Sequence, residues 1–310
     1  MLRQTALLLS SLAIACGSAE TPGAQVAEEP SANLATDPRL SEVVQAASFA
    51  EDHPDYASYW HAGLAEISRF ALTQSRYGQA REGDAIFVFV TEPFLPETQV
   101  KHERSDGEED VPVLKLNATR TFVTGIYPYN LMTSSFVPTD GSPSLKVSAT
   151  VTEWCGMAFA QLNRRGGQVE ADLRSYFQSE GDRDFAMDDV PFEDALWQEL
   201  RRDPSALPTG ELRLVPAMHA LRLYHDELRP YRAVAELQEE PELSRYVVRY
   251  ASLGRTLVIE FETAFPHAIV SFEETHGGET TRGVRTHSIM DAYWGHNRND
   301  DEYLRSALGL

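Results

Sequence analysis

Cysteine is scarce in this chain of 310 residues, which contains only Cys16 and Cys155. Two cysteines form at most one disulfide, so the disulfide framework of small secreted domains is excluded. Long apolar runs are also missing. After residue 15 no stretch approaches the roughly 18 uninterrupted apolar residues that indicate a membrane-spanning helix. The fold must therefore be stabilised by the burial of apolar side chains.

Positive charge is in deficit as well, with 27 Lys and Arg against 47 Asp and Glu and a formal net charge of −20. A surface of this sign repels phosphate backbones and anionic lipid head groups. Nucleic acid is therefore not an expected partner. The simplest reason for the acidic composition is that it keeps the protein in solution.

The familiar catalytic and metal-binding motifs are missing too. The sequence has no GxSxG elbow, no P-loop, no GxGxxG, no HExxH and no Cys/His pairing with zinc spacing. His219 and His225, close to Asp226 and Glu227, form the only cluster that resembles a metal site, and we interpret them as surface residues. We expect no metal and no cofactor.

The N-terminus carries the clearest signal. Residues 1–15 have the layout of an export signal, with Arg3, an apolar stretch from Ala6 to Ala15 and small residues before the cleavage point. The segment Leu12-Ala13-Ile14-Ala15-Cys16-Gly17 resembles the lipobox of bacterial lipoproteins. The resemblance implies that Cys16 is acylated and anchors the protein in a membrane of the cell envelope. Gly17, in place of Asp, favours the outer membrane, with the protein facing the periplasm.

The composition along the chain predicts three segments. Residues 1–15 are the expected signal peptide. We expect residues 16–36 to form a flexible lipid-anchored tether, because they are rich in Ala, Glu, Pro, Ser and Gly. Residues 37–310 are expected to form one β-rich globular domain. At its start, Asp37-Pro38 precedes apolar residues at helical spacing, which predicts a short helix.

Beyond Trp60 the apolar residues alternate with period two, between clusters of Gly, Pro, Asn and Asp, which predicts strands. The fold class is mainly β: a curved antiparallel sheet or half-open barrel of roughly ten strands with two or three short helices packed on it or plugging it. The helices are expected over Pro191 to Arg202 and near Leu304 and Leu308. The predicted strands are Ala65 to Tyr77, Asp84 to Phe94, Val113 to Phe122, Ser144 to Cys155, Met157 to Asn163, Gln168 to Phe177, Tyr231 to Leu237, Arg245 to Ala251, Arg255 to Phe261 and His267 to Thr275.

Cys155 is the one candidate nucleophile. Trp154-Cys155-Gly156 is similar to the start of a thioredoxin-type redox motif, but Ala158 stands where the second cysteine would be. A Cys-His hydrolase is an alternative, with His219, His225 or His267 as the base. Because Cys155 falls at the end of a strand pattern, we expect a buried structural thiol.

Aromatic residues concentrate in one part of the chain and indicate either a core or the lining of an apolar pocket. The candidates for such a pocket are Trp60, Tyr127, Tyr129, Trp154, Tyr176 and Phe177.

Five short segments carry a further resemblance. They are Trp60-His61-Ala62-Gly63, Tyr77-Gly78, Thr124 to Tyr129, Glu153-Trp154-Cys155-Gly156 and Ala307-Leu308-Gly309-Leu310. The chain resembles an uncharacterised group of bacterial envelope proteins whose members are sometimes labelled Maf-type septum formation inhibitors. That label does not fit, because the Ser-x-Ser-Pro-Arg-Arg start of true Maf proteins is missing. The resemblance implies no activity.

We expect a non-enzymatic lipoprotein that binds or scaffolds an apolar ligand or an envelope protein, with a hydrolase that uses Cys155 as the alternative. The predicted sheet looks like that of lipoprotein-carrier proteins, whose concave face holds acyl chains. A concave face that is filled by protein would count against the apolar ligand.

Overall fold

A computed structural model describes residues 55–104 and 109–310. The predicted signal peptide, Cys16, the predicted tether and the helix predicted after Asp37 lie outside these residues. The described chain forms one antiparallel sheet of fifteen strands, so the predicted curved antiparallel sheet is confirmed and the predicted number of about ten strands is wrong. The strands are β1 (Ala65–Arg76), β2 (Gln79–Leu95), β3 (Val100–Lys101), β4 (Val111–Thr124), β5 (Tyr127–Pro138), β6 (Lys146–Glu153), β7 (Gly156–Arg165), β8 (Gln168–Ser175), β9 (Arg183–Asp188), β10 (Gly210–Leu214), β11 (Tyr231–Gln238), β12 (Leu243–Tyr250), β13 (Arg255–Glu262), β14 (Ile269–His276) and β15 (Glu279–Asp291).

The described chain begins and ends its sheet in the middle, where β1 and β15 are neighbours. The path runs β10-β11-β12-β13-β14-β15-β1-β2-β4-β5-β6-β7-β8-β9, and β3 pairs with β2. The first strand therefore lies beside the last, with Ala65 opposite Asp291. The terminal strands β9 and β10 are not paired with each other, but a parallel bridge between Phe192 and Val215 joins the segments that follow them. The sheet is curved and remains open.

The ten predicted strands are all present, and five others were missed: β3, β5, β9, β10 and β15. The reason is clearest in β15, whose inward positions include Thr281, Gly283 and Arg285 in place of large apolar residues. A Cβ on Gly283 would lie 2.3 Å from the ring of Phe272. The neighbouring strand thus fills this part of the core, and β15 shows no apolar alternation.

Helix α2 (Glu193–Arg202) fills the interior of the sheet and confirms the helix predicted over Pro191 to Arg202. Two acids in its first turn and two arginines in its last turn complement the helix dipole. Trp197 packs edge-on against Phe87 of β2 and Phe272 of β14. Because α2 contacts strands from both halves of the sheet, the sheet wraps around it.

Two buried ion pairs fix α2 to the sheet. Arg201 donates from Nη1 and Nη2 to Glu66 of β1 at 2.6 and 2.5 Å, and Arg255 of β13 donates to Glu193 at 2.6 Å from both nitrogens. All four side chains are almost completely buried. Paired geometry of this kind satisfies charges that burial would otherwise penalise.

The remaining helices are short. Helix α1 (Tyr56–Trp60) begins at Asp55, whose side chain accepts from the backbone of Ser58, and helix α3 spans Met218–Tyr224. A 3-10 helix, Asn299–Leu308, follows β15 where the sequence predicts a final helix, and its Leu308 packs outside the sheet on Ile67 and Ile289. Within residues 55–104 and 109–310, no helix has the length and apolar character required to cross a bilayer.

Candidate binding surface on one edge of the sheet

Four turns at one end of the strands present large apolar side chains to solvent. The β1–β2, β4–β5, β6–β7 and β8–β9 connections lie on this side of the sheet because alternate turns of an antiparallel meander do so. We refer to this side, formed by the ends of the strands, as an edge of the sheet. In two of the four turns a left-handed backbone makes the turn tight, at Tyr77-Gly78 and at Gly125. We call this surface the aromatic rim. Its exposed members are Tyr77 (57%), Ile126 (80%), Trp154 (69%), Met157 (56%) and Tyr176 (72%).

Side-chain contacts join the first three turns into a continuous surface. The hydroxyls of Tyr77 and Tyr129 lie 2.9 Å apart, and the Tyr129 ring is 5.8 Å from that of Tyr127. Tyr127 in turn lies 6.2 Å from Trp154. Arg76 packs over Tyr77 and Tyr129, and it donates to the carbonyl of Leu223 at the end of α3. The rim is thus attached to the helix beneath it.

The fourth turn continues the row. A Cβ on Gly156 would lie 2.8 Å from the ring of Tyr176, so glycine is required where β7 passes under this ring. Phe177 is 5.2 Å from the ring of His225, and the guanidinium of Arg222 lies 4.0 Å above Phe177. These contacts place the β8–β9 loop against the end of α3.

Five of the six predicted pocket residues therefore come together, at the rim: Tyr127, Tyr129, Trp154, Tyr176 and Phe177. The sixth, Trp60, does not join them, because it is 1% exposed in α1 and packs on Phe89 under the guanidinium of Arg201. The five form a surface across several turns. Tyr77, Ile126 and Met157 were missed, since single residues in turns carry no periodicity.

Cys155 is exposed in the β6–β7 turn, so the expectation of a buried thiol is wrong. The strand pattern Ser144 to Cys155 ends as β6 at Glu153, and Trp154 and Cys155 form the turn itself. The backbone nitrogen of Cys155 donates to Oε2 of Glu153 at 2.6 Å. Cys155 thus shares this turn with Trp154 of the rim.

The histidines considered as its base have other partners. His219 is buried and its Nε2 lies 3.1 Å from Oε2 of Glu274, so its interpretation as a surface residue is wrong. Burial and the nearby charge of Arg120 lower the pKa of His219. Nδ1 of His225 lies 2.7 Å from Glu180, and Nδ1 of His267 contacts the carbonyl of Thr263. Among the described residues no three His, Cys, Asp or Glu side chains are grouped to hold a metal.

The interior leaves little room for a ligand. A cavity of about 20 Å³ lies between α2 and the sheet, lined by Arg120, Thr133 and Asp194, and it has the size of one water molecule. A second of about 40 Å³, lined by Val151 and Leu221, lies under α3. Because α2 and its core occupy the concave face, this geometry counts against the acyl-chain binding expected from the lipoprotein-carrier analogy.

No protein-family model matches the chain, and no curated protein matches it. Among solved structures, it is similar to a β-barrel-like protein of the domain of unknown function DUF1849 from Brucella abortus. The two chains are 11% identical, the similarity covers 74% of this chain and 97% of the other, and the TM-score is 0.46. A similarity of this extent identifies no family for the chain.

Proposed function

We propose that this protein is an envelope lipoprotein, anchored through Cys16 in the outer membrane and facing the periplasm, that binds another envelope protein without catalysing a reaction. The aromatic rim is the binding surface. The sequence of residues 1–17 supports the anchor, and the exposed side chains of the rim support the binding role.

The composition of the rim carries the proposal. Binding hot spots are enriched in Trp, Tyr and Arg, and Met is also enriched at protein interfaces. The rim contains Trp154, Tyr77 and Tyr176 together with Met157, in adjoining turns. An exposed apolar patch of this kind marks a site of interaction.

The charge of the chain favours a protein over the anchoring membrane as the partner. The sequence carries a formal net charge of −20, which repels anionic lipid head groups. An envelope protein that contacts the apolar side chains of the rim is therefore the expected partner.

Photocrosslinking in cells tests the proposal. We expect p-benzoylphenylalanine at Ile126, which is 80% exposed, to give one discrete protein adduct. Leu243 lies on the opposite edge, is 40% exposed and provides the matched control. We expect the adduct to be lost when Trp154→Ser and Tyr176→Ser are combined, with an unchanged melting temperature. Equal adducts from both positions, an adduct of two copies of this chain, or crosslinking to lipid alone would overturn the proposal.

The exposure of Cys155 favours one alternative, an envelope hydrolase that uses this thiol. Hydrolysis of an activated thioester by the purified protein would support it on two conditions. Cys155→Ser must abolish the reaction, and Cys155→Ala with added thiol must hydrolyse the thioester only at the background rate. An unchanged rate in Cys155→Ser would exclude it.

A further inference from the structure

A cleft of about 430 Å³ lies on the sheet edge opposite the aromatic rim. It is formed by the β5–β6 loop, the end of β7, the segment before α2 and the last turn of α2. Its volume is within the range of small-molecule sites, and it is far larger than the interior cavities. It lies outside the rim and is unrelated to the function proposed there.

Arg202 supplies a cation to this cleft. Its Nε is buried with no hydrogen-bond partner among the described residues, and its guanidinium makes no ion pair with them. Arg164, in the same cleft, is fully occupied: it donates to the carbonyls of Ser144 and Val190 and pairs with Asp189. An Arg fork without partners is suited to bidentate binding of an oxyanion.

Gly141 leaves room for the guanidinium of Arg202. A Cβ at this position would lie 2.6 Å from Nη1 of Arg202, and the backbone φ of Gly141 is 92°. Any other residue would therefore push the guanidinium aside as well as strain the backbone. The β5–β6 loop thus passes close to Arg202 and borders the space around its guanidinium.

Glu199 lies three residues before Arg202 on α2 and also lines the cleft. Burial raises its pKa to about 7, against the opposing charges of Arg202 and Arg164. Near neutral pH a large fraction of this carboxyl is therefore protonated and able to donate a hydrogen bond. A donor and a cation then face the same space.

The apolar part of the wall consists of Pro143, Val190, Pro191, Phe192 and Pro208. Its polar part includes Ser142, Ser144 and Asp189, and Asp189 is paired with Arg164. We propose that the cleft binds a small organic carboxylate, whose oxygens are held by Arg202 and Glu199 and whose apolar part rests on the proline-rich wall. The carboxylate belongs either to a free short-chain acid or to the C-terminus of a peptide, since both present the same group.

Calorimetric titration of the full mature protein at pH 7 tests the proposal. The probes are sodium butyrate, N-acetyl-alanyl-alanine, butyramide and inorganic phosphate. We expect saturable binding of butyrate or of the dipeptide and none of butyramide. Whichever acid binds more tightly identifies the source. Arg202→Met should weaken binding at least tenfold, while Arg249→Met, at an exposed position outside the cleft, should leave it unchanged.

A measurement on the unaltered protein guards against misfolding of the variant. The ¹⁵N resonance of Arg202 Nε should shift with the butyrate concentration along the same curve as the calorimetric heat. Butyramide that binds as well as butyrate, phosphate that binds while both acids do not, or an Arg202 resonance that stays fixed would each overturn the proposal.

Discussion

The ion pair between Arg201 and Glu66 provides the sharpest test of the interior. In Arg201→Met the aliphatic stem remains, but Glu66 is left as a buried carboxylate whose remaining donors among the described residues are the hydroxyls of Tyr59 and Ser68. Removing one partner of a buried pair costs about 3–5 kcal/mol in the free energy of unfolding. For a domain of this size, each kcal/mol lowers the melting temperature by roughly 2–4 °C. We expect Arg201→Met to melt about 6–20 °C below the wild-type protein, measured by circular dichroism.

The control is Arg245→Met, which removes the partner of Glu260 from a pair in which the arginine is 45% exposed. Exposed pairs contribute about 0–1 kcal/mol, so this variant should melt within a few degrees of wild type. Adding Glu66→Gln to Arg201→Met should recover part of the loss, because the unpaired carboxylate is gone. If Arg201→Met has the same melting temperature as the control, or if the double variant melts no higher than Arg201→Met, the assignment of a stabilising buried pair is wrong.

The same pair has a defined pH dependence. Burial would raise the pKa of Glu66, but the charge of Arg201 outweighs burial and lowers the pKa below its ordinary value. A lowered carboxyl pKa in the folded state stabilises the fold above the unfolded-state pKa of about 4.3, and this stabilisation is lost as the pH falls further. In Arg201→Met burial acts on Glu66 without this opposing charge, so protonation relieves the unpaired carboxylate at a higher pH than in wild type. The difference between wild type and Arg201→Met should therefore be largest at pH 8 and shrink as the pH falls towards 4.

Three further tests concern other sites. Burial raises the pKa of Asp194 to about 7, so ionisation of this carboxyl destabilises the folded state as the pH rises from about 4 to 7. In urea titrations Asp194→Asn should raise the free energy of unfolding at pH 8 by on the order of 3 kcal/mol. The same variant should have a smaller effect at pH 5. Gly283→Ala should destabilise by about 1–3 kcal/mol through overpacking against Phe272, whereas Gly295→Ala, which meets nothing within 4 Å, should melt like wild type. Because Cys155 is exposed, a small thiol reagent should label the folded protein at a rate close to that of the unfolded chain, and labelling only after denaturation would contradict its position.

The sequence predicted those elements whose residues alternate clearly. Ten strands and the helix at Pro191 to Arg202 were recognisable because their apolar residues follow period two or the helical period. The five missed strands lack this signal for a tertiary reason. In β15 the space of an inward side chain at Gly283 is taken by Phe272 of the next strand, and no local pattern reveals that.

The filled interior was harder to foresee. Helix α2 carries Glu193, Asp194, Gln198 and Arg201 on buried positions, and charged residues ordinarily indicate a solvated face. The partners of Glu193, Gln198 and Arg201 lie more than fifty residues away in the sequence, so only the folded sheet brings them together. The same is true of the rim, whose members come from four separate turns.

The meeting of β1 and β15 in the middle of the sheet also governs the order of assembly. Ala65 and Asp291 face each other although most of the chain separates them, so this pairing must wait until synthesis is nearly complete. Before then, β1 to β9 and β10 to β14 can form two meanders with local contacts, and β1 has an unpaired edge. Such long-range pairing slows folding, and an unpaired edge is a template for aggregation. A chain that stops short of β15 thus loses the junction between the two halves and becomes a target for proteolysis.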